Sequence, residues 1–267
     1  QVYFENNEWL AGTDFQYGAV GFSWPSVGVF SLSLAMLSTP YDLVRTVDKP
    51  KGTGDKFNAQ DMAIVFTIAR NLTDRLALGA SIKNIRQRIW HSTGQSIATD
   101  IGVQYKTPIW DLMLGASISN FGNDLSLMGR DMNISVDPDP VNQGNVEFVN
   151  AEYQTDAFPL PLFFRVGIGG YLLNTKTISA MFAIDAIHPN DNYEYLNLGG
   201  ELIFYKAIYL RAGYPSLGKK DSIEGLTIGA GLDYHLFRTS NIIKLEYSTA
   251  DYGPLGMIQR ISVGYKF

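Results

Sequence analysis

Apolar and polar residues alternate along most of this chain. The pattern is clearest in LTIGAGLDYHL (226–236), where Ile228 and Leu232 fall on one face while Gly229 and Asp233 fall on the other. A period of two is the repeat of a β-strand whose faces meet different surroundings. Helical periodicity is almost absent. The sequence therefore predicts an all-β fold.

The alternation predicts about fourteen strands, many close to the 9–11 residues that a tilted strand needs to cross a bilayer. They are expected near residues 2–9, 14–24, 27–38, 60–70, 75–90, 95–106, 110–120, 160–172, 176–186, 194–204, 207–214, 225–236, 242–250 and 257–267. The last of these, RISVGYKF, keeps its alternation to the final residue, Phe267. We expect it to pair with the strand near 2–9 and to close a barrel.

Short and long connections alternate between these strands. The short ones are 71–74, 106–108, 174–176, 205–207 and 237–241, and the long ones are 39–59, 121–159, 187–193 and 215–224. This arrangement is typical of outer-membrane barrels, which carry turns on the periplasmic side and loops outside. It places both chain ends on the periplasmic side and makes 121–159 a long extracellular loop.

The composition separates a membrane barrel from a soluble β-fold, whose strands also alternate. Apolar residues make up 46% of the 267 residues and aromatics 13%, but charged residues only 18%, and mean hydropathy is −0.02. Aromatic residues near the short turns resemble an interfacial girdle: Tyr105, Trp110, Tyr171, Tyr205, Tyr209, Tyr234, Phe237, Tyr247, Tyr265 and Phe267. No stretch approaches the roughly 18 apolar residues of a transmembrane helix. We therefore predict a closed antiparallel transmembrane β-barrel as a single domain, 1–267.

Charged residues share the face opposite to the apolar one, which suits a wet lumen. We expect a polar lumen lining of Lys83, Asp100, Arg165, Asp185, Asn197, Glu201, Arg211, Asp233, Lys244, Glu246 and Arg260. This face is either a conduit or ligand site, or a ladder of ion pairs that stiffens the wall. Both signs are interspersed, which favours the ladder, since a selective pore usually shows one sign.

Several functions are excluded or left without a signature. The chain has no cysteine, and a net charge of −5 argues against a nucleic-acid partner. Acidic loop residues that calcium would accept as oxygen ligands match no EF-hand pattern: Asp137, Asp139, Asp191 and Glu194. We predict no enzyme, no cofactor and no metal site.

The long connection 121–159 has apolar content that a purely solvated loop would not need: Leu125, Leu127, Met128 and Met132. Connections of this length are commonly functional. It is expected to fold over the barrel mouth as a lid, to dock a partner, or to pack on its own rim.

The motifs NFG, GRD and DPDP within 120–140, followed by FPLPLFFRVGIG (158–169), HPND (188–191) and GLTIGAGLDY (225–234), resemble those of the PorV/PorQ family. The resemblance runs from about residue 8 to Phe267. It implies a fourteen-stranded barrel in the outer membrane of Bacteroidota, similar to the FadL type. Such proteins work with the type IX secretion system, which implies outer-membrane lipid and a translocon or cargo proteins as partners, docked through the extracellular loops.

The resemblance leaves two other functions open. FadL-type barrels import hydrophobic compounds, so the alternative is a channel for hydrophobic small molecules, and a third possibility is a largely structural barrel. Family members also carry a glycine-rich N-terminal hatch segment with an Asn-Pro-Ala motif, which this sequence does not show. We expect that hatch segment and a signal peptide to precede Gln1 and to be absent from this sequence.

Overall fold

The computed structural model describes residues 1–138, 141, 148–236 and 240–267. Fourteen antiparallel strands form one closed barrel, which confirms the predicted fold class. The strands are β1 (Val2–Glu8), β2 (Asp14–Trp24), β3 (Gly28–Ser38), β4 (Ala59–Asn71), β5 (Leu76–Ile89), β6 (Ser92–Lys106), β7 (Met113–Gly122), β8 (Phe163–Asn174), β9 (Ile178–Pro189), β10 (Tyr195–Phe204), β11 (Ile208–Leu217), β12 (Thr227–His235), β13 (Ile242–Asp251) and β14 (Met257–Lys266).

The barrel closes where the first strand pairs with the last. The register of β1 on β14 runs from Val2 opposite Tyr265 to Glu8 opposite Gln259. Every other pair joins strands that follow each other in the chain. The predicted role of RISVGYKF as the closing strand is confirmed, and no strand of the barrel has a free edge.

The two ends of the barrel differ in their connections. We call the end with the longer connections the loop end and the opposite one the turn end. The loop end has the connections 9–13, 39–58, 90–91, 123–162, 190–194, 218–226 and 252–256. The turn end has 25–27, 72–75, 107–112, 175–177, 205–207 and 236–241 together with both chain termini. Among the described residues, no helix is long and apolar enough to cross a membrane.

The outer surface of the barrel is apolar and the inner surface is polar. Leu32 and Ile101 on the outer face are 52% and 58% exposed, whereas Glu5 and Ser262 on the inner face are 8% and 4% exposed. Buried apolar side chains are few among the described residues: Ala98, Leu125, Leu160, Ile187 and Ile258. A soluble β-fold would bury its apolar face in a core. The distribution is that of a barrel whose apolar face meets lipid.

Aromatic side chains gather around the turn end. Those exposed there include Tyr105, Trp110, Tyr171, Tyr205, Tyr234, Tyr265 and Phe267. The assignment of Tyr209 to this girdle is wrong, because its hydroxyl donates to Asp233 Oδ2 at 3.1 Å inside the lumen. Tyr247 lies at mid-strand on the outer face, and Phe237 lies outside the described residues.

Candidate lumen site

The lumen contains a cavity of about 680 Å³ beside β1 and β9–β14. Its wall at the loop end is formed by Trp9, Glu224 and Tyr252, which come from three different connections. Farther in, Gly199 and Gly213 line it. An added Cβ would meet nothing within 4 Å at Gly199, so this glycine leaves the space open, whereas at Gly213 it would lie 2.9 Å from Thr227 Oγ1.

A second cavity of about 530 Å³ lies beside β4–β9 and reaches the turn end. Ala69 and Met113 line it close to that end. Ala183 on β9 lines both cavities, so both reach the inner face of this strand. Together they extend along the lumen from the loop end toward the turn end.

Arg211 organises the charges of the larger cavity. Its Nε donates to Glu201 on the neighbouring strand, and its Nη1 donates to Glu246 Oε1 at 2.8 Å, two strands away. The guanidinium passes over Gly231 on the intervening strand, where an added Cβ would lie at an ordinary contact distance of 3.7 Å from Arg211 Nη1. Glu246 Oε2 also accepts from Ser262 Oγ at 3.2 Å.

Two further ion pairs lie along the same part of the wall. Arg260 Nε is 3.0 Å from Glu5 Oε1, while Glu5 Oε2 accepts from the Tyr3 hydroxyl at 2.9 Å. Lys244 Nζ is 3.1 Å from Asp233 Oδ2. Carboxylates that receive several charge-assisted hydrogen bonds are held in fixed positions.

Lys83 and Asp100 form the ion pair on the opposite wall, at 2.7 Å. Asn120 joins it: its backbone N–H donates to Asp100 Oδ1 and its Oδ1 accepts from Lys83 Nζ, each at 2.8 Å. Asn120 has φ +64° at a β-bulge, a conformation that asparagine tolerates better than most residues. Its Nδ2 donates to the Pro161 carbonyl at 2.8 Å, which ties the end of the long connection to the wall.

Arg165 and Asp185 behave differently from the other predicted lumen residues. Both line the second cavity, but neither has an ion pair within 4.0 Å among the described residues. The Asp185 side chain instead lies over Gly167, where a Cβ would come 2.1 Å from Asp185 Oδ1. The sequence predicted the face of these two residues without showing that they lack partners.

The long connection 123–162 covers part of the barrel mouth. Leu125 is fully buried, and its backbone exchanges hydrogen bonds of 2.8 and 2.9 Å with Phe158. It lies against Gly94, where an added Cβ would come 2.4 Å from Leu125 Cδ2. Ser96 Oγ donates to the Asn123 carbonyl at 2.6 Å and fixes the start of the same segment. This part of the connection is packed on the inner face of β6.

The other apolar residues predicted for a lid are less buried. Leu127 is half-buried and its carbonyl accepts from Thr155 Oγ1 at 2.6 Å. Met132 is also half-buried, and its carbonyl accepts from Tyr153 N–H at 2.9 Å. Met128 is 61% exposed. Of the predicted set, only Leu125 inserts fully.

Several residues of the site were missed from the sequence: Glu5, Trp9, Asn120, Glu224 and Tyr252. Glu5 lies two residues after Tyr3, on the same face of the strand that was predicted to pair with the strand of Arg260. This shared face was the sequence signal that could have assigned Glu5 to the lumen. Trp9 falls at the end of the predicted strand 2–9 and in phase with Glu5, so its phase was also an available signal. Tyr252 lies between predicted strands, where alternation gives no information. The rings of Trp9 and Tyr252 form an edge-to-face pair with centroids 5.6 Å apart. Burial, and then the Glu224 charge, raise the pKa of Tyr252, while Arg260 lowers it.

The acidic loop residues do not assemble into a metal site in the part of the chain that is described. Asp139 lies outside the described residues, and no group of three or more His, Asp or Glu side chains in the rest is placed to hold a metal ion. Glu194 instead lies 3.0 Å from His188 Nδ1. A hydrogen bond from its own backbone N–H and then His188 lower the pKa of Glu194.

Comparison with known proteins supports the fold. No protein-family model and no curated protein matches the sequence. Similar solved structures are the P. putida toluene transporter TodX (12% identity, 99% of this chain and 88% of TodX, TM-score 0.56), the monoaromatic hydrocarbon channel CymD (10%, 99% and 86%, 0.52) and a Pseudomonas aeruginosa FadL homologue (10%, 99% and 88%, 0.51). These neighbours are channels rather than enzymes. At such identities the likeness shows the fold alone, and this chain has the fold of FadL-like outer-membrane channels.

Proposed function

We propose that this protein is a channel of the bacterial outer membrane through which hydrophobic small molecules pass. The observation that carries the proposal is the pair of cavities that share Ala183 in their lining and together extend along the lumen. Lumen glycines such as Gly199 and Gly115 keep this space open, since a Cβ at either would meet nothing within 4 Å. The fold shared with hydrocarbon channels supports the same role.

The experiment fills the lumen and measures entry of an apolar probe. Gly199→Phe and Gly115→Phe place a ring in each cavity without displacing a neighbour, and Ala230→Phe adds the same ring on the outer face of β12. Gram-negative host cells that make each variant are mixed with N-phenyl-1-naphthylamine, which an intact lipopolysaccharide leaflet excludes and which fluoresces on entering the membrane.

We expect cells with the unaltered protein to take up the probe faster than cells without it. The two lumen variants should lose this gain, and Ala230→Phe should retain it. Different migration of unheated and heated samples on SDS gels, as intact outer-membrane barrels show, is the control that each variant is folded. Equal uptake by the unaltered protein and both lumen variants would contradict a channel role.

The second candidate function is docking of secretion partners, which the resemblance to PorV/PorQ proteins implies. One feature favours it: a hairpin of Asn133–Val136 and Val149–Glu152 stands in the long connection. Phe148 and Tyr153 beside it are 65% and 64% exposed, so both rings are accessible to a partner. If the hairpin docks a partner, serine at both aromatic positions should abolish co-purification of that partner and leave probe uptake unchanged.

A further inference from the structure

The larger cavity has an acidic group at its loop end without a basic partner. Glu224 lines the cavity from the connection 218–226, and Ser216 Oγ donates a hydrogen bond to it. No Lys, Arg or His nitrogen among the described residues lies within 4.0 Å of its carboxylate. A carboxylate in a partly enclosed site is stabilised by a cation that approaches it.

The charges around the cavity leave an excess of negative charge. The charged lining residues are Glu5, Glu201, Arg211, Glu224, Glu246 and Arg260, so four carboxylates face two guanidinium groups. Arg211 is shared by two of the carboxylates and Arg260 is paired with a third. The formal charges of these six residues sum to −2. Glu224 contributes one negative charge, and it is the one carboxylate of the four that neither guanidinium group contacts.

Aromatic rings line the same end of the cavity. Trp9 and Tyr252 form their edge-to-face pair there, and both are half-buried. The face of a tryptophan or tyrosine ring attracts an organic cation, most strongly where water is partly excluded. Rings combined with a carboxylate are a recognised way of binding an ammonium group.

A buried amide lies on the same strand as Glu5. Asn7 lies between Glu5 and Trp9 on the inner face of β1 and is 0% exposed. Neither its Oδ1 nor its Nδ2 has a hydrogen-bond partner among the described residues. Buried amides are rarely left unsatisfied. Asn7 is not among the residues that line the cavity, so it is not placed against a molecule bound there.

We propose that the larger cavity binds small amphipathic organic cations. The ammonium group lies between the Glu224 carboxylate and the rings of Trp9 and Tyr252, and the apolar body extends along Gly199 and Gly213. A volume of about 680 Å³ lies within the range of small-molecule sites. The inference rests on the proposed channel function and narrows its substrates to hydrophobic molecules with a cationic head.

The test compares ligands that differ in charge. The folded protein in a neutral detergent is titrated with 4-phenylbutylamine, which is a cation at pH 7, and with 4-phenylbutan-1-ol, which has the same ring and chain without the charge. Binding is measured by isothermal titration calorimetry. We expect the amine to bind about tenfold more tightly than the alcohol.

Matched variants locate the effect. Glu224→Gln should weaken amine binding by about tenfold and leave alcohol binding unchanged. Asp221→Asn removes the same charge from the same connection at an exposed position with φ +58°, which asparagine accepts, and it should change neither affinity. Trp9→Leu offers an independent test, and it should also weaken the amine more than the alcohol.

Equal binding of amine and alcohol, or equal effects of Glu224→Gln and Asp221→Asn on amine binding, would overturn the proposal. Its failure can be told apart from failure of the channel. Probe uptake that depends on Gly199 and Gly115 without a preference for the amine keeps the channel and removes the cation site. Amine binding that depends on Glu224 without probe uptake keeps the site and removes the channel.

Discussion

The inside-out arrangement of the barrel predicts opposite effects for the same substitution at neighbouring positions. Leu32 and Ser33 follow each other near the middle of β3, with Leu32 on the outer face and Ser33 on the inner face. Leu32 lies opposite Val20 and Phe66 on the adjacent strands. An arginine at position 32 therefore enters an apolar surface, whereas one at position 33 enters the polar lumen.

The expected loss at position 32 has two parts. Arginine on the lipid face costs about 2–4 kcal/mol near the bilayer midplane. Leu32 is 52% exposed in the isolated barrel, so roughly half of its surface packs on neighbours, and losing that packing adds about 1 kcal/mol. Leu32→Arg should thus lower the free energy of unfolding by about 3–5 kcal/mol. Ser33→Arg should change it by no more than about 1 kcal/mol, because the side chain stays in a polar surrounding.

The measurement is reversible urea unfolding in phospholipid vesicles, followed by tryptophan fluorescence. Both variants add the same side chain to the same strand, so changes in β-propensity largely cancel. A greater loss for Ser33→Arg than for Leu32→Arg, or equal losses, would refute the assignment of the two faces.

Three further changes test the lid, the lumen charges and the buried amide. Gly94→Ala should displace Leu125 and the adjoining backbone, and so raise the conductance of single barrels in planar bilayers. Gly115→Ala, where a Cβ meets nothing within 4 Å, should leave the conductance unchanged. Equal conductance of the two variants would argue against a lid. Arg211→Met leaves Glu201 and Glu246 without their cation and should lower the free energy of unfolding in urea by about 2–3 kcal/mol. Glutamine at both of these positions should restore most of the loss. If it does not, lost packing rather than unpaired charge explains the loss. Asn7→Leu removes a buried amide for which no hydrogen-bond partner is described, and it should raise the free energy of unfolding by about 1 kcal/mol. A lower free energy of unfolding would show that the amide is hydrogen-bonded in the folded protein.

The strands could be predicted from the sequence because lipid and lumen impose opposite demands on successive residues. A charge on the outer face costs about 2–4 kcal/mol at the bilayer midplane and less toward the interfaces, so the period of two persists through most of each strand. The closing pair of β1 and β14 followed from the same alternation, since Ile261 and Val263 continue the outer face to the end of the chain. Which end of the barrel faces the cell exterior stays a prediction.

Tyr209 shows how the residue type can mislead. Its position near a short turn suggested the interfacial girdle, but it is in phase with Arg211, which lies two residues along the same strand and faces the lumen. Phase along the strand determines the face, and aromatic character does not. The two-residue spacing of Tyr209 from Arg211 therefore predicts the lumen face correctly.

Asn120 could not have been predicted in the same way. A β-bulge adds one residue to a strand, and the residues beyond it change face without any change in the alternation that marks it beforehand. The bulge lets the Asn120 side chain contact Lys83 and its backbone contact Asp100. Contacts of the connections, such as those of Trp9 and Tyr252, depend on loop geometry that no periodic pattern describes.

The ion pairs and the proposed channel are compatible because of where the pairs lie. Each joins strands that are adjacent or separated by one strand: Lys83 with Asp100, Glu201 with Arg211, Arg211 with Glu246, Asp233 with Lys244, and Arg260 with Glu5. None of these pairs crosses the diameter of the barrel, so the paired charges stay along the wall and leave the cavities open. The ladder predicted from the mixed signs therefore does not exclude a conduit. Glu224 differs because the only described polar contact of its carboxylate is a hydroxyl. A solute entering from the loop end would meet it beside Trp9 and Tyr252 before reaching the ion-paired wall.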